Sequence, residues 1–201
     1  MNVQCATFPL IVFITASIAI GQQGHSASTH ALASEKTSLC KLESLPSDLQ
    51  DRLRVKFGSW KVQEAADLSA HARKRWEAEK PLECPGIVVG KFKNTNDPTY
   101  AILLVSRDHS VSGYKFLIFS PKADQNIYEM IMIEQSNDNA VAVDLFLHTE
   151  KISKFFSETW RKKLQVQTDV GILFACAGDE EYETDLYFWS NGSFRHEWID
   201  Y

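Results

Sequence analysis

The sequence has none of the local motifs that mark the commonest metal and catalytic sites. Its four cysteines include no Cys-x-x-Cys pair, and its six histidines include no His-Glu-x-x-His motif, which argues against a zinc centre built from local spacing. A Gly-x-Ser-x-Gly elbow and a glycine-rich phosphate loop ahead of a helix are also absent. From the sequence we therefore predict no catalytic residue, no metal ligand and no cofactor.

Charge is missing from the start of the chain. The first 28 residues contain no Asp, Glu, Lys or Arg. Residues 8–20 form an apolar run that suits a signal-peptide core and is too short for a membrane span of roughly 20 residues. We predict a signal peptide over residues 1–27, with cleavage after Gly21 or after Ala27, and a disordered leader over residues 28–38. A buried N-terminal helix or strand is the alternative interpretation.

Long basic runs are missing as well. The net charge is -5, and a run such as Arg161-Lys162-Lys163 is too short to form a basic patch, so we expect neither nucleic acid nor an anionic membrane surface as partner. No later apolar run is long enough to span a membrane. Residues 39–201 have the length of one domain. The sequence thus predicts a single exported domain, periplasmic or secreted.

Cysteine is scarce beyond the predicted leader, where Cys40, Cys84 and Cys176 are the only ones. Export permits a disulfide. We predict the pair Cys40–Cys84 because these residues flank the predicted helical section. The bond would close a loop of roughly 44 residues, worth about 3 to 4 kcal/mol. Cys176 lies in the apolar stretch 171–177, and we interpret it as a small buried thiol.

Two helical patterns precede a long series of strand-like runs. The first helix is predicted from Ser47, a suitable N-cap, to Gly58, and the second over residues 68–80, where Pro81 stops it. Runs rich in Val, Ile, Tyr and Phe then recur at about 12-residue intervals. The predicted strands are 87–92, 100–106, 114–120, 127–133, 140–147, 164–167, 172–177, 186–189 and 194–199. We predict an α+β fold, with two N-terminal helices packed on a mostly antiparallel β-sheet or β-sandwich.

The sharpest local signal is Asn191-Gly192 between two strand-like runs. This dipeptide favours a two-residue type I′ turn. The turn would pair Trp189 with Phe194 and Tyr187 with His196, with Trp198 on the same face. That aromatic face is either part of the core of a sheet or a ligand platform, and we favour the core.

The last 115 residues or so resemble a known group of proteins. The runs Pro85-Gly86-Ile87-Val88-Val89-Gly90-Lys91-Phe92, 100–105 and 114–119, and the closing hairpin with Gly192, Phe194 and Trp198, are similar to those of small exported bacterial proteins with one degenerate FG-GAP or VCBS-like element. The resemblance implies a strand-rich exported domain and no particular activity. In that element, Asp and Gly residues cage calcium, whereas residues 93–99 offer only Asp97 beside Lys93. We therefore predict a plain connection without a metal.

One acidic cluster stands out before the hairpin. It consists of Asp179, Glu180, Glu181, Glu183 and Asp185. A metal or a cationic partner could use it as an interaction surface. We favour a solvated loop whose charge keeps strand edges from pairing with other chains.

These observations predict a non-enzymatic exported binding or accessory domain that recognises a protein or a glycan outside the cytoplasm. The alternative is an extracytoplasmic hydrolase whose groups converge only in three dimensions. His109 or His148 beside acidic side chains at the floor of a deep pocket would favour the hydrolase.

Overall fold

The structure is a computed structural model, and it describes residues 40–79, 83–107, 113–122, 127–137, 142–178 and 182–200. The predicted signal peptide and leader lie outside these residues. Within the described ranges, no helix combines the length and apolar character needed to cross a bilayer. Nine strands in two antiparallel sheets, with three α-helices, make up the regular structure of this part of the chain.

The first sheet contains the five strands that come first along the chain. They are β1 Trp60–Val62, β2 Ile87–Gly90, β3 Thr99–Ser106, β4 Tyr114–Pro121 and β5 Tyr128–Ser136. Their order is β1-β3-β4-β5, and β2 pairs with β3 beside β1. β3 and β4 are covered on both faces, which explains why they consist of nearly continuous apolar residues.

The second sheet is a meander of four strands in chain order. They are β6 Leu145–Lys151, β7 Val170–Ala177, β8 Tyr182–Ser190 and β9 Ser193–Asp200. Asn191 and Gly192 form the turn between β8 and β9 with φ of 50° and 78°, as a type I′ turn requires. The predicted hairpin register is confirmed, since Tyr187 opposes His196 and Trp189 opposes Phe194.

The two sheets pack face to face through a shared apolar core. Phe116 of the first sheet stacks on Phe174 of the second, with ring centroids 5.1 Å apart, and Tyr187 meets Phe116 edge-on at 5.1 Å. Burial of a side chain of this size contributes roughly 1.5–3 kcal/mol. This core contains residues of both sheets and none of the first two helices.

Three helices cover the outer faces of the sandwich. α1, Ser47–Lys56, packs Leu49 and Leu53 against the first sheet. α2, Ala70–Glu79, packs Ala72 and Trp76 against the second sheet. α3, Glu158–Lys163, belongs to a segment that covers the rest of the second sheet through Phe155 and Phe156.

The predicted α+β class is therefore wrong. Strands account for 45% of the described residues and helices for 24%, and the main core lies between two sheets. The N-terminal helices do not share a sheet, because α1 covers one outer face of the sandwich and α2 covers the other. Each of these helices has only two buried residues, so each covers a sheet without forming a core of its own.

Some local predictions also need correction. The predicted strand 164–167 is not a strand, and Val166 forms only an isolated bridge with Ser190. Ser47 is the first helical residue of α1 and Pro46 occupies the N-cap. The sequence did not predict α3, although its N-cap signal is regular, since the Ser157 hydroxyl accepts a hydrogen bond from the Trp160 amide.

Candidate functional site at the open edge of the sandwich

The sandwich is closed along one edge and open along the other. At the closed edge, the Leu147 amide donates to the Pro85 carbonyl at 2.7 Å and so links the two sheets. At the opposite edge, β5 and β9 are the terminal strands, and Trp198 on β9 keeps 64% of its surface exposed. We call this second region the open edge. Its side chains are those of Tyr114, Glu134, Asp185, Tyr187, His196 and Trp198.

A β-bulge brings Glu134 into the open edge. Phe116 opposes Glu134 and Leu117 opposes Met132, so Ile133 is an extra residue in β5. Side chains alternate between faces along a regular strand, and without the extra residue Glu134 would share the outer face with Met130, which packs on the side of α1. The bulge reverses this alternation and directs the carboxylate between the sheets.

The Glu134 carboxylate connects the two sheets. Tyr114 Oη of the first sheet donates to Glu134 Oε1 at 2.6 Å, and Tyr187 Oη of the second sheet donates to Glu134 Oε2 at 3.2 Å. Both tyrosine rings belong to the shared core. Each carboxylate oxygen therefore has a hydroxyl donor that the fold holds in place, which fixes the position of the negative charge.

The two tyrosine hydroxyls are held in their protonated form. Burial raises the pKa of Tyr114 well above its usual value, and the hydrogen bond to Glu134 raises it further. Burial also raises the pKa of Tyr187, and the negative charges of Glu134 and Asp185 add to that effect. At neutral pH these hydroxyls are hydrogen-bond donors and are not activated as nucleophiles.

The hairpin supplies the other half of the open edge. His196 Nδ1 lies 3.1 Å from Asp185 Oδ1, and the imidazole stacks on the Tyr187 ring with centroids 5.1 Å apart and planes at 12°. Asp185 opposes Trp198 in the β8–β9 register. The exposed indole, the imidazole and two carboxylates thus lie along one side of the hairpin.

Lys93 marks the end of the open edge nearest the turn. Its ammonium group lies 4.5 Å from the centroid of the Trp189 ring and donates to Ser120 Oγ at 3.1 Å. Trp189 in turn packs edge-on against Phe194 at 5.0 Å. The loop after Phe92, which the sequence predicts to be a plain connection, therefore contributes a cation to this region.

The predicted acidic cluster lies only partly in the described residues. Asp179, Glu180 and Glu181 are outside them. Glu183 and Asp185 belong to β8 and not to a loop, and Asp185 lies in the open edge. Among the described residues, no group of three or more His, Cys, Asp or Glu side chains is arranged to hold a metal ion.

The structure places the predicted cysteine pair at bonding distance. The Sγ atoms of Cys40 and Cys84 are joined, and their Cα atoms are 5.1 Å apart. Both residues are buried in the core between α1 and the first sheet. Cys176 is buried and takes no part in the disulfide, as predicted.

The histidines singled out in the sequence do not lie in the open edge. His109 lies outside the described residues. His148 is fully buried on β6, with Nε2 3.6 Å from Glu79 Oε2 of α2, and its ring contacts Phe146. A histidine without solvent exposure between a helix and a strand is not accessible to a substrate.

A separate cavity of about 510 Å³ lies beside α1 and the disulfide. Its cations already have partners in the fold. Arg54 lies 3.6 Å from Glu43, Lys61 pairs with Asp67, and Arg107 Nε donates to the Trp60 carbonyl at 2.9 Å. These contacts give the cavity wall a structural role.

The described residues define a two-sheet antiparallel sandwich, covered by helices, with a polar and aromatic open edge. No family model, no curated protein and no solved structure matches the chain. The resemblance to proteins with an FG-GAP or VCBS-like element stays a prediction.

The sequence indicated half of this site. The preference of Asn191-Gly192 for a two-residue turn is enough to predict that Tyr187, His196 and Trp198 share one face. Glu134 and Tyr114 were missed because their pairing depends on a bulge and on the packing of one sheet against the other. No local signal marks either feature.

Proposed function

We propose that the protein is an exported, non-enzymatic binding domain, that its ligand surface is the open edge, and that its ligand is a glycan. One observation carries this proposal. An exposed indole, Trp198, lies beside carboxylates that are already held by hydrogen bonds, those of Asp185 and Glu134.

The chemistry of these groups suits a sugar. A pyranose ring has an apolar face of C–H groups and a rim of hydroxyls. The Trp198 ring offers a flat apolar surface for that face. The carboxylates of Asp185 and Glu134 accept hydroxyl hydrogen bonds, and charge-assisted bonds of this kind are roughly twice as strong as neutral ones.

The open edge is also preorganised and elongated. His196 holds Asp185 and the two tyrosines hold Glu134, so little side-chain freedom is lost on binding. The strand from Asp185 to Trp189 spans roughly 13 Å. An aromatic side chain lies at each end, Trp198 beside Asp185 and Trp189 beside Lys93, which favours an oligosaccharide over a single sugar.

The alternative of a hydrolase has less support. Both tyrosine hydroxyls of the open edge have raised pKa values, so neither provides an activated nucleophile. His148 is buried beside Glu79, away from any substrate. Binding without turnover is the function that uses these groups as they lie.

The binding proposal is tested with the purified protein and a panel of cell-envelope polysaccharides and their soluble fragments, by co-sedimentation and calorimetry. We expect Trp198→Ala to weaken saccharide binding by roughly tenfold or more, as loss of a central aromatic contact does. The matched control is Trp160→Ala, which removes an indole that is 50% exposed on α3, outside the open edge.

Two results would overturn the glycan proposal. One is that no saccharide of the panel binds, even where an extract yields a protein partner. The other is that the Trp198 and Trp160 variants bind equally well while both melt as the unaltered protein does.

Export is tested separately. Fractionation of the source cells, followed by N-terminal sequencing, should find the protein outside the cytoplasm and starting at Gln22 or Ser28. An intact N-terminus in the cytoplasmic fraction would contradict the prediction of a signal peptide.

A further inference from the structure

β9 is the least protected strand edge in the described part of the chain. It is eight residues long, without proline, lysine or a bulge, and such features normally protect an edge. The other edges differ. β5 carries the bulge at Ile133, β1 and β2 are three and four residues long, and β6 contacts Pro85.

The turn decides which backbone groups of β9 point outward. In a two-residue hairpin the residues that flank the turn, Ser190 and Ser193, form the closing hydrogen-bonded pair. Hydrogen-bonded and non-hydrogen-bonded pairs then alternate along the hairpin. The N–H and C=O groups of Phe194, His196 and Trp198 therefore point away from β8, toward the free edge.

The side chains of β9 form a self-complementary series around His196. Two residues away on one face are Phe194 and Trp198, and one residue away on the other face are Arg195 and Glu197. If two copies of β9 paired antiparallel about His196, each Arg195 would oppose Glu197 of the other copy. Each Phe194 would oppose Trp198, and opposite-charge and aromatic pairs of this kind stabilise a sheet.

Neighbouring registers lack this complementarity. A two-fold axis normal to the sheet keeps each face on its own side, so the register changes in steps that move the axis from one residue to the next. An axis at Arg195 sets two arginines opposite each other, and an axis at Glu197 sets two glutamates opposite each other. Both are destabilising, and only the axis at His196 matches charge and the outward backbone groups together.

We propose that β9 pairs antiparallel with β9 of a second copy of this chain, with His196 at the two-fold axis, to form one continuous eight-stranded sheet. Arg195 and Glu197 are exposed on the outer face of the second sheet, so the pairing uses side chains that do not line the open edge. The dimer is isologous and closed, which prevents further growth along this edge. This inference does not depend on the glycan proposal.

Charge reversal tests the pairing by sedimentation equilibrium over a range of protein concentrations. The unaltered protein should be a reversible dimer. Arg195→Glu alone or Glu197→Arg alone places like charges opposite each other twice and should raise the dimer dissociation constant roughly tenfold. The double reversal, Arg195→Glu with Glu197→Arg, restores both opposite-charge pairs and should recover dimerisation.

Cross-linking tests the register. In His196→Cys the two introduced thiols would lie on residues with Cα atoms about 5.5 Å apart, within the range of a disulfide, and mild oxidation should give a covalent dimer. Ser193→Cys is the matched control, because the two copies of residue 193 would be roughly 20 Å apart. A monomer at every concentration would overturn the proposal, as would a double reversal no better than the single ones or equal cross-linking of both cysteine variants.

Discussion

At the scale of single residues, the open edge depends most on Glu134. Its carboxylate accepts hydrogen bonds from Tyr114 and Tyr187, which come from different sheets. Removal of the carboxylate leaves two hydroxyls in or near the core without their acceptor. The cost of such a change exceeds the loss of one ordinary hydrogen bond because buried donors are left unsatisfied.

We therefore expect Glu134→Ala to lower the free energy of unfolding by about 2–4 kcal/mol in urea titrations. The control Glu129→Ala removes an exposed glutamate of the same strand and should change stability by less than about 0.5 kcal/mol. Tyr114→Phe should cost less in the Glu134→Ala background than in the unaltered protein. Strict additivity of the two changes would show that the hydroxyl and the carboxylate do not interact.

The tyrosines predict a loss of stability at alkaline pH. Burial raises the pKa of Tyr128 to about 12, with Tyr100 adding to the shift, and it raises the pKa of Tyr114 and Tyr187 further. The unfolded chain loses these protons near pH 10. The folded state holds more protons than the unfolded state above that pH, so stability is complete below about pH 10 and falls as the pH rises.

This prediction is tested by unfolding measurements across the alkaline range. The double variant Tyr114→Phe, Tyr187→Phe should show a shallower fall in the free energy of unfolding than the unaltered protein does. Equal slopes would mean that the two hydroxyls titrate alike in the folded and unfolded states.

At the scale of elements, local sequence predicted the strands and the hairpin well and the bulge not at all. The Asn191-Gly192 turn has a strong preference of its own, so it fixes the register of β8 and β9 without help from the rest of the fold. The bulge at Ile133 depends on how β4 and β5 pack against the second sheet. Residues 128–136 show only a run of alternating apolar and polar residues.

Two glycines at strand ends make a matched test of element geometry. Gly113 and Gly192 both have positive φ, 107° and 78°. An added Cβ at Gly113 would clash with the Ser136 carbonyl, whereas at Gly192 it would meet nothing within 4 Å. We expect Gly192→Ala to cost about 1–2 kcal/mol from backbone strain alone, and Gly113→Ala to cost clearly more.

Thermal melting of both variants checks this prediction. Equal losses would mean that the β4–β5 end can move away from the added methyl group. A smaller loss at Gly113 than at Gly192 would contradict the packing of Gly113 against Ser136.

At the scale of the whole molecule, the arrangement of layers was the part that the sequence could not supply. Leu49 and Leu53 of α1, and Ala72 and Trp76 of α2, were recognisable as apolar faces. Which sheet each face covers is decided by contacts between distant segments. The periodicity of a helix says that it has a buried side and not what it is buried against, and for this reason the prediction of helices on one sheet was wrong.

The disulfide connects these layers, and its loss is the prediction that tests the molecule as a unit. Cys40 precedes α1 and Cys84 precedes β2, 44 residues apart in sequence, so the bond ties the N-terminal segment with α1 to the first sheet. Because the bond restricts the unfolded chain, we expect Cys40→Ser with Cys84→Ser to lower the free energy of unfolding by roughly 3 to 4 kcal/mol.

Reductant distinguishes this effect from a packing defect. The unaltered protein should lose a similar amount of stability when it is unfolded in the presence of dithiothreitol, whereas the double variant should not respond. Cys176→Ala, which alters only the buried cysteine outside the bond, should retain the full response. If the unaltered protein unfolded identically with and without reductant, the Cys40–Cys84 bond would contribute nothing to stability, and the attachment of α1 to the first sheet would rest on the apolar contacts of Leu49 and Leu53 alone.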